Sequence, residues 1–301
     1  LAAVCAPAGA PLHVFGTAGP GCYDPLRGGD PARRAALVQG MVDWAAVTDP
    51  ARRTGVGYLH DLFALLAAAP GDPRTPVLDD VIHLLSPDAL WARLRQVPPD
   101  HPRRASLAER VRASASLMTA NPAPGGFLAS ELAGLRASPL GRWLRPAMAP
   151  GEDQISLAAV VRDRGVALFS LSRPRPGRAA RMIANLAALD MTAVFAESAR
   201  DGIGGDGLAW FGPCNDVARP ALAGLVSTGG RAGLATVLST SSTVVAGEVA
   251  ALASVLVVQQ PDLARELDLP GPARDGQFVL AVRAPGGQLR TACQFVAGGV
   301  P

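Results

Sequence analysis

The chain contains no lysine, and all 28 of its basic residues are arginine. This absence excludes Schiff-base and lysine-base chemistry from these 301 residues, together with the lysine that a nucleotide-binding P-loop needs. The 25 acidic residues leave a net charge of only +3. So small a positive net charge permits an acidic partner but does not require that partner to be a nucleic acid.

Cysteine and histidine are also scarce. They show neither a Cys-x-x-Cys pair nor a metal-ligand spacing, and they stand at Cys5, Cys22, Cys214, Cys293, His13, His60, His83 and His101. The sequence therefore predicts no metal site, no disulfide framework, and reduced thiols as in the cytosol. No uncharged apolar run approaches about 18 residues, so we expect no membrane span. The first residue is Leu1 and no signal-peptide pattern follows, so we expect the chain to start inside a longer protein.

Hydrophobic periodicity predicts an α/β protein with a split core. Six segments with apolar residues at three- and four-residue spacing predict helices at 32–47, 56–69, 77–85, 88–97, 105–121 and 127–138. A short strand precedes them at 10–15. After residue 150, strands at 166–171, 207–211, 233–240 and 254–258 alternate with helices at 179–200, 217–228, 245–253 and 262–267, and a hairpin closes the chain at 277–283 and 288–296. We predict a core at 1–30 and 148–301 with a mainly parallel sheet, and an inserted all-α domain at 31–147.

The segment GTAGPG, residues 16–21, has the GxxxxG spacing of a phosphate loop and follows the first predicted strand. In a P-loop the next two residues are Lys and Ser or Thr, but here they are Cys22 and Tyr23. A helix N-terminus should then face the phosphates, but residues 24–31 are too rich in proline and glycine to form one. The segment therefore predicts an ordinary glycine–proline turn.

The segment GGRAGLATVLSTSS, residues 229–242, predicts a buried strand that ends in a cluster of hydroxyl groups. The carboxyl ends of parallel strands are where α/β proteins usually bind ligands. From Ser239 to Thr243 every side chain is a serine or threonine, so this end carries no charge and no amide.

Four segments, in order along the chain, resemble those of the TraG/TraD-type conjugative coupling ATPases, which belong to the FtsK/HerA branch of RecA-like DNA-translocating motors. They are YDPLRGGDP (23–31), SLAAVVRDRGVALFSL (156–171), GGRAGLATVLSTSS, and SVLVVQQPDLARELDLPG (254–271). In that family a helical domain follows the first segment, as predicted here. The resemblance covers nearly the whole chain, and it implies a RecA-like P-loop NTPase core with an inserted all-helical domain.

The resemblance also marks positions where such a motor handles its nucleotide, and this chain departs from the pattern there. Gly212 and Pro213 fall where the Walker B carboxylates belong, and Ser241 stands at the sensor glutamine position. The arginine that such rings offer to a neighbouring subunit matches Gly230, so Arg231, one residue later, is the candidate for a subunit-interface or nucleotide contact. The family's P-loop lies upstream of the YDPL segment, so the catalytic residues of this chain remain unassigned.

The resemblance implies ATP and Mg²⁺ as cofactors of the full-length family, although the residues of this chain support neither. Arg173, Arg175 and Arg178, in RPRPGRAAR, are the candidates for contacts with DNA. The implied partners are the other subunits of a homo- or hetero-oligomeric ring, and DNA. Membrane contact would come only through a missing N-terminal region, which places the protein in the cytoplasm, at the inner face of the cell membrane where such a region anchors it.

Three functions follow from these observations. The first is a non-catalytic ring or scaffold partner of a conjugation or secretion motor. The second is an active DNA-translocating ATPase whose P-loop lies upstream, with Asp206 or Asp216 near the phosphates. The third is an unrelated small-molecule α/β enzyme, since a shared fold does not determine function.

Overall fold

The computed structural model divides into two compact units, Leu1–Glu197 and Ser198–Pro301. The residues that it describes are 9–16, 19, 21–72, 74–171, 177–202, 207–212, 214–215, 217–240, 255–258, 262, 265, 277–283 and 289–296.

Helices make up most of the first unit. The six that follow the first strands are α1 (Pro31–Met41), α2 (Asp49–Ala68), α3 (Val77–Leu84), α4 (Pro87–Leu94), α5 (Arg104–Ala120) and α6 (Ala123–Ala137). Two later helices are α7 (Leu157–Arg162) and α8 (Arg178–Arg200). Proline stands in the first turn of α1, α2, α4 and α6, where its missing N–H leaves no helical hydrogen bond unmade. The six helices predicted between residues 32 and 138 are present, although α1 ends at Met41 and not at 47, and α2 begins at Asp49 and not at 56.

A four-stranded parallel sheet lies beside these helices. Its strands are β1 (Leu12–Gly16), β2 (Gly21–Tyr23), β3 (Asp153–Ile155) and β4 (Val166–Ser170), in the order β3-β2-β1-β4. The helices α1 to α6 thus come between β2 and β3 in the chain. The pairing of β1 with β4 runs from Leu12 opposite Val166 to Gly16 opposite Ser170.

One continuous apolar core joins this sheet to the helices. Phe15, Tyr23 and Phe169 form an aromatic cluster, with ring centroids 5.1–6.0 Å apart. The same core continues into Leu59 and Phe63 of α2, both fully buried. At about 25 cal/mol per Å² of apolar surface removed from water, contacts of this kind are the main source of stability in the unit.

The helix α8 is long and apolar enough to cross a membrane by length and composition alone. Its middle nevertheless carries Asp190, which is buried and bonded to Tyr23 and Arg33, and its apolar residues Ile183 and Leu186 belong to the core. These contacts are typical of the central helix of a folded domain.

The second unit contains a parallel pair of strands, β5 (Gly207–Phe211) and β6 (Leu234–Leu238). Helix α9 (Arg219–Gly224) continues into a π-helical turn, Leu225–Gly229, that leads toward β6. A separate antiparallel sheet consists of β7 (Val255–Val258), β8 (Gln277–Arg283) and β9 (Leu289–Val296). The closing hairpin is therefore present. The helix predicted at 245–253 lies outside the described residues.

The predicted fold class, α/β with a mainly parallel sheet, is confirmed. The division into a core at 1–30 and 148–301 and an all-α insertion at 31–147 stays a prediction.

Two strands have no counterpart in the sequence interpretation, because β2 and β3 are only three residues long. The segment GTAGPG contributes its last glycine to β2, and a Cβ atom on Gly21 would collide with the carbonyl oxygen of Val14. Gly16 has φ +136°, and a Cβ atom there would lie 2.5 Å from the carbonyl oxygen of Ser170. Glycine is thus required where the backbone crosses close to its neighbours.

Candidate functional site

The carboxyl ends of β5 and β6 form the candidate site, and backbone hydrogen bonds tie them together. The Ser239 N–H donates to the Phe211 carbonyl at 2.9 Å, and the Cys214 N–H donates to the Ser239 carbonyl at 2.8 Å. The Thr240 hydroxyl then donates to the side-chain oxygen of Asn215. The loop after β5 is thus held against the segment after β6, so these two N–H groups are not free to bind a ligand.

Gly212 lies close to the side chain of an exposed tryptophan. A Cβ atom added to Gly212 would lie 3.0 Å from Nε1 of Trp210 and 3.5 Å from Cβ of Ser239. A side chain at this position would therefore require the indole of Trp210, which is 74% exposed, to shift by a few tenths of an ångström. Pro213, Ser241, Asp206 and Asp216 lie outside the described residues.

The described residues at the two strand ends carry no acidic or basic side chain. Cys214 is buried, and burial raises the pKa of its thiol, so the sulfur stays neutral at pH 7. A magnesium–nucleotide complex needs carboxylate oxygens for the metal and positioned cations for the phosphates. These neutral groups do not fit such a complex.

Arg231, the candidate for a subunit contact, lies just after the π-helical turn. Its Nε donates to the carbonyl oxygen of Ser227 at 3.1 Å on the protein surface. The guanidinium thus satisfies a carbonyl near the helix end, an arrangement that arginine commonly adopts there. A contact with a second subunit stays a prediction.

The segment YDPLRGGDP forms a dense polar network in the first unit. The Tyr23 hydroxyl donates to Oδ2 of Asp190 at 2.8 Å, and Nη2 of Arg33 donates to Oδ1 of the same carboxylate at 2.6 Å. Nη1 of Arg33 bonds to Glu197 at 2.5 Å, and Asp30 caps α1 by accepting from the Arg33 N–H at 2.7 Å. The segment therefore fixes β2 and α1 to the long helix α8.

Burial shapes the ionisation of this network. Burial, followed by the charge of Asp190, raises the pKa of Tyr23 well above its usual value, which keeps the hydroxyl protonated as a donor. Burial also raises the pKa of Asp190, and the hydrogen bonds from Arg33 and Tyr23 oppose that rise. The arrangement leaves no face of the carboxylate open to a substrate, so its role is structural.

Asp24 and Arg27 of the same segment hold the start of α3. Nε of Arg27 donates to Asp24 at 3.1 Å, and Nη2 of Arg27 donates to the Thr75 carbonyl at 2.8 Å. The Val77 backbone also bonds to the Asp24 carboxylate. Burial raises the pKa of Asp24, and the interaction with Arg27 offsets only part of that rise.

Arg178, a candidate for DNA contact, is paired with a buried carboxylate. It is the first residue of α8, and its guanidinium bonds to Oε1 of Glu131 on α6. The Arg178 side chain is 61% exposed and that of Glu131 only 4%, and Oε2 of Glu131 has no hydrogen-bond partner. The DNA contact of Arg178 stays a prediction. Arg173 and Arg175 lie outside the described residues.

Comparison with solved structures shows which known proteins share this fold. An unbound form of the bacterial conjugative coupling protein TrwB, lacking its first 70 residues, matches 99% of this chain and 73% of its own, with TM-score 0.53 and 14% identity. TrwB with ADP and Mg²⁺ matches 94% of this chain and 71% of its own, with TM-score 0.51 and 14% identity. TrwB with the GTP analogue GDPNP matches 99% of this chain and 82% of its own, with TM-score 0.52 and 14% identity.

The chain has the fold of a conjugative coupling protein. The resemblance read from the sequence is confirmed at this level, including the RecA-like α/β core. No family model matches the chain, and no curated protein matches it in sequence. At 14% identity the likeness to TrwB establishes the fold and not the activity.

Sequence reasoning missed three residues of this coupling-protein fold. Asp190 and Glu131 are single acidic residues inside apolar helical runs, NLAALDMTAVF and GFLASELAGL, and that isolation was the available signal for a buried, paired carboxylate. Trp210 lies in the strand predicted at 207–211, and nothing in the sequence indicates that its side chain is exposed. Only the cross-strand neighbours distinguish the two faces of so short a strand.

Proposed function

We propose that this chain is a DNA-transfer ATPase-like protein whose 301 residues form a non-catalytic scaffold, a pseudoenzyme of the FtsK/HerA type. Its role would be that of a ring or scaffold partner in conjugation or type IV secretion. One observation carries the proposal: the described ends of β5 and β6 bear only neutral side chains, and their N–H groups at 214 and 239 are bonded within the protein. Positioned charge supplies most of the catalysis of phosphoryl transfer, and none is present there.

ATP turnover by the purified 301-residue protein tests this proposal. We expect none above background with Mg²⁺ present, and none after Gly212→Asp, because a single carboxylate restores neither a phosphate loop nor a lysine. The double variant Gly212→Asp, Trp210→Ala gives that carboxylate room and is the matched control. Turnover by the unchanged protein would overturn the proposal.

An active DNA-translocating ATPase is the second candidate. This candidate is favoured by the extent of the structural match. This chain matches 71–82% of the solved TrwB chains, so part of each TrwB chain has no counterpart in these residues. Here the P-loop would lie upstream, and ATP, Mg²⁺ and DNA would be bound by the larger protein. The upstream reading frame decides between the candidates: a GxxxxGK[ST] motif followed by ATP turnover of the extended protein supports this one.

The proposed partners are the other subunits of a ring, and DNA. The proposed location is the cytoplasm, at the inner face of the cell membrane where an N-terminal region anchors the protein. Analytical ultracentrifugation with and without single-stranded DNA tests both partners, and DNA binding must weaken with added salt if arginine–phosphate contacts carry it.

A further inference from the structure

The ion pair of Glu131 and Arg178 joins a buried carboxylate to an exposed guanidinium. Glu131 lies on α6 between Leu128 and Leu132, both fully buried, so its carboxylate is on the face of the helix that packs into the core. Its side chain is 4% exposed, and that of Arg178, the first residue of α8, is 61% exposed. The carboxylate is thus fixed in place, and the guanidinium is the member of the pair that a ligand can reach.

The environment of the carboxylate makes this pair costly to separate. Oε1 of Glu131 bonds to the Arg178 guanidinium, and Oε2 has no hydrogen-bond partner among the described residues. Removing the guanidinium would leave the buried charge without the cation that it is paired with, which costs much more than separating two exposed charges. The positive charge of Arg178 is therefore opposed by a carboxylate that cannot turn away from it.

We propose that Glu131 is an autoinhibitory residue, which holds the guanidinium of Arg178 and so weakens the binding of a DNA phosphate at the start of α8. This inference rests on the proposed DNA partner and assigns a regulatory contact to it. A phosphate must either draw the arginine away from Glu131 or bind beside a charge that is already neutralised. In both cases a neutral side chain at position 131 should strengthen DNA binding.

The pair of Arg162 and Asp163, at the end of α7, supplies a matched control. Its side chains are 70% and 51% exposed, and Nε of Arg162 donates to Oδ1 of Asp163 at 2.9 Å. Asp163→Asn changes the net charge by the same single unit as Glu131→Gln, but it acts on a pair that water screens. The comparison separates the release of Arg178 from the general effect of added positive charge.

Fluorescence anisotropy with a labelled single-stranded oligonucleotide at low salt measures the effect in the 301-residue protein. We expect Glu131→Gln to bind about fivefold more tightly than the unchanged protein, because the charge of Arg178 is then unopposed. Asp163→Asn should stay within about twofold of the unchanged protein. In the Arg178→Ala background Glu131→Gln should bring no gain, because the guanidinium that it releases is missing.

Modification of arginine by phenylglyoxal tests the pairing without any substitution. Peptide mass spectrometry gives the rate at each arginine of the unchanged protein. Arg178 should react several-fold more slowly than Arg162, although the two side chains are similarly exposed, because only Arg178 is held by a buried carboxylate. Equal rates would overturn the inference.

Three patterns of DNA binding would also overturn it. If Glu131→Gln binds no more tightly than the unchanged protein while Arg178→Ala binds more weakly, the DNA partner stands and only the inhibition is removed. If the gain persists without Arg178, or Asp163→Asn matches it, the gain belongs to net charge. If none of these proteins binds DNA, the proposed DNA partner fails and this inference fails with it.

Discussion

The YDPLRGGDP segment and the ends of β5 and β6 both resemble the same class of motor in sequence, but they use their side chains in opposite ways. In the first, Tyr23, Asp24, Arg27 and Asp30 all take part in hydrogen bonds to the surrounding protein. In the second, the described side chains are uncharged, and Trp210 faces solvent. The chain thus retains residues that stabilise the fold. At the ends of β5 and β6, where the resemblance places residues that would act on a nucleotide, it departs from the family pattern.

The largest expected effect is at Asp190, the hub of the first region. Asp190→Ala leaves the Arg33 guanidinium without its buried partner and the Tyr23 hydroxyl without an acceptor. We expect a loss of about 3–5 kcal/mol in the free energy of unfolding, the range for breaking a buried ion pair. Urea titration followed by circular dichroism measures it. Tyr23→Phe, which removes a single hydroxyl, should lose far less, and equal losses would mean that the network is not organised around Asp190.

A smaller effect is expected at the Glu131–Arg178 pair. Arg178→Ala leaves a buried carboxylate without a counter-charge, and we expect a loss of about 1–3 kcal/mol in unfolding free energy. Glu131→Gln in the Arg178→Ala background should recover part of that loss, because an amide is less costly to bury than a charge.

The single variant Arg178→Ala also tests whether Arg178 contacts DNA. If Arg178 touches DNA phosphates, Arg178→Ala should reduce the salt dependence of DNA binding by about one unit of slope, and Glu131→Gln should leave that slope unchanged. An unchanged slope for Arg178→Ala would restrict Arg178 to its structural role.

A modest effect is expected in the second region. Thr240→Val removes the hydroxyl that bonds to Asn215, and we expect a loss of about 0.5–1.5 kcal/mol, since this bond is exposed. Thr240→Ser keeps a hydroxyl and is the control. A loss at Thr240 as large as that at Asp190 would remove the contrast between the two regions.

The smallest effect concerns Glu152, whose contribution to stability is present at neutral pH and is lost on acidification. Hydrogen bonds from Arg145, together with the N–H groups of Met148 and Ala149, lower the pKa of Glu152 to about 2. A carboxyl whose pKa is depressed in the folded state contributes stability above its unfolded value of 4.5, and that contribution disappears as the pH falls toward 2. Urea midpoints between pH 6 and pH 2 should show a smaller acid-induced decrease for Glu152→Gln than for the unchanged protein. Identical pH profiles would contradict the assignment.

The sequence predicted most of the fold because its signals were local. The helices α1 to α6 follow apolar periodicity between proline and glycine breaks, and β4 and β5 were located within a residue of their ends. The strands β2 and β3 were not predicted, because a strand of three residues is too short to show an alternation of apolar and polar side chains. Their pairing also joins residues more than 130 positions apart.

The candidate site was predictable only in part. Gly212 and Arg231 could be placed by the order of resembling segments, but the acceptor that Arg231 uses follows from the local helix geometry. The partners of Tyr23 and Arg178 come from elements far along the chain, and neither spacing nor composition reveals such contacts. The exposure of Trp210 depends on which face of its strand is covered.

The uninterrupted apolar core of the first unit has a consequence for how this protein can be dissected. Phe15 and Tyr23 of the sheet share that core with Leu59 and Phe63 of α2, so excising the helices would strip the sheet of its covering. Melting of this unit should therefore be a single cooperative event. A protease acting on the native protein should release no free-standing helical fragment from residues 31–147.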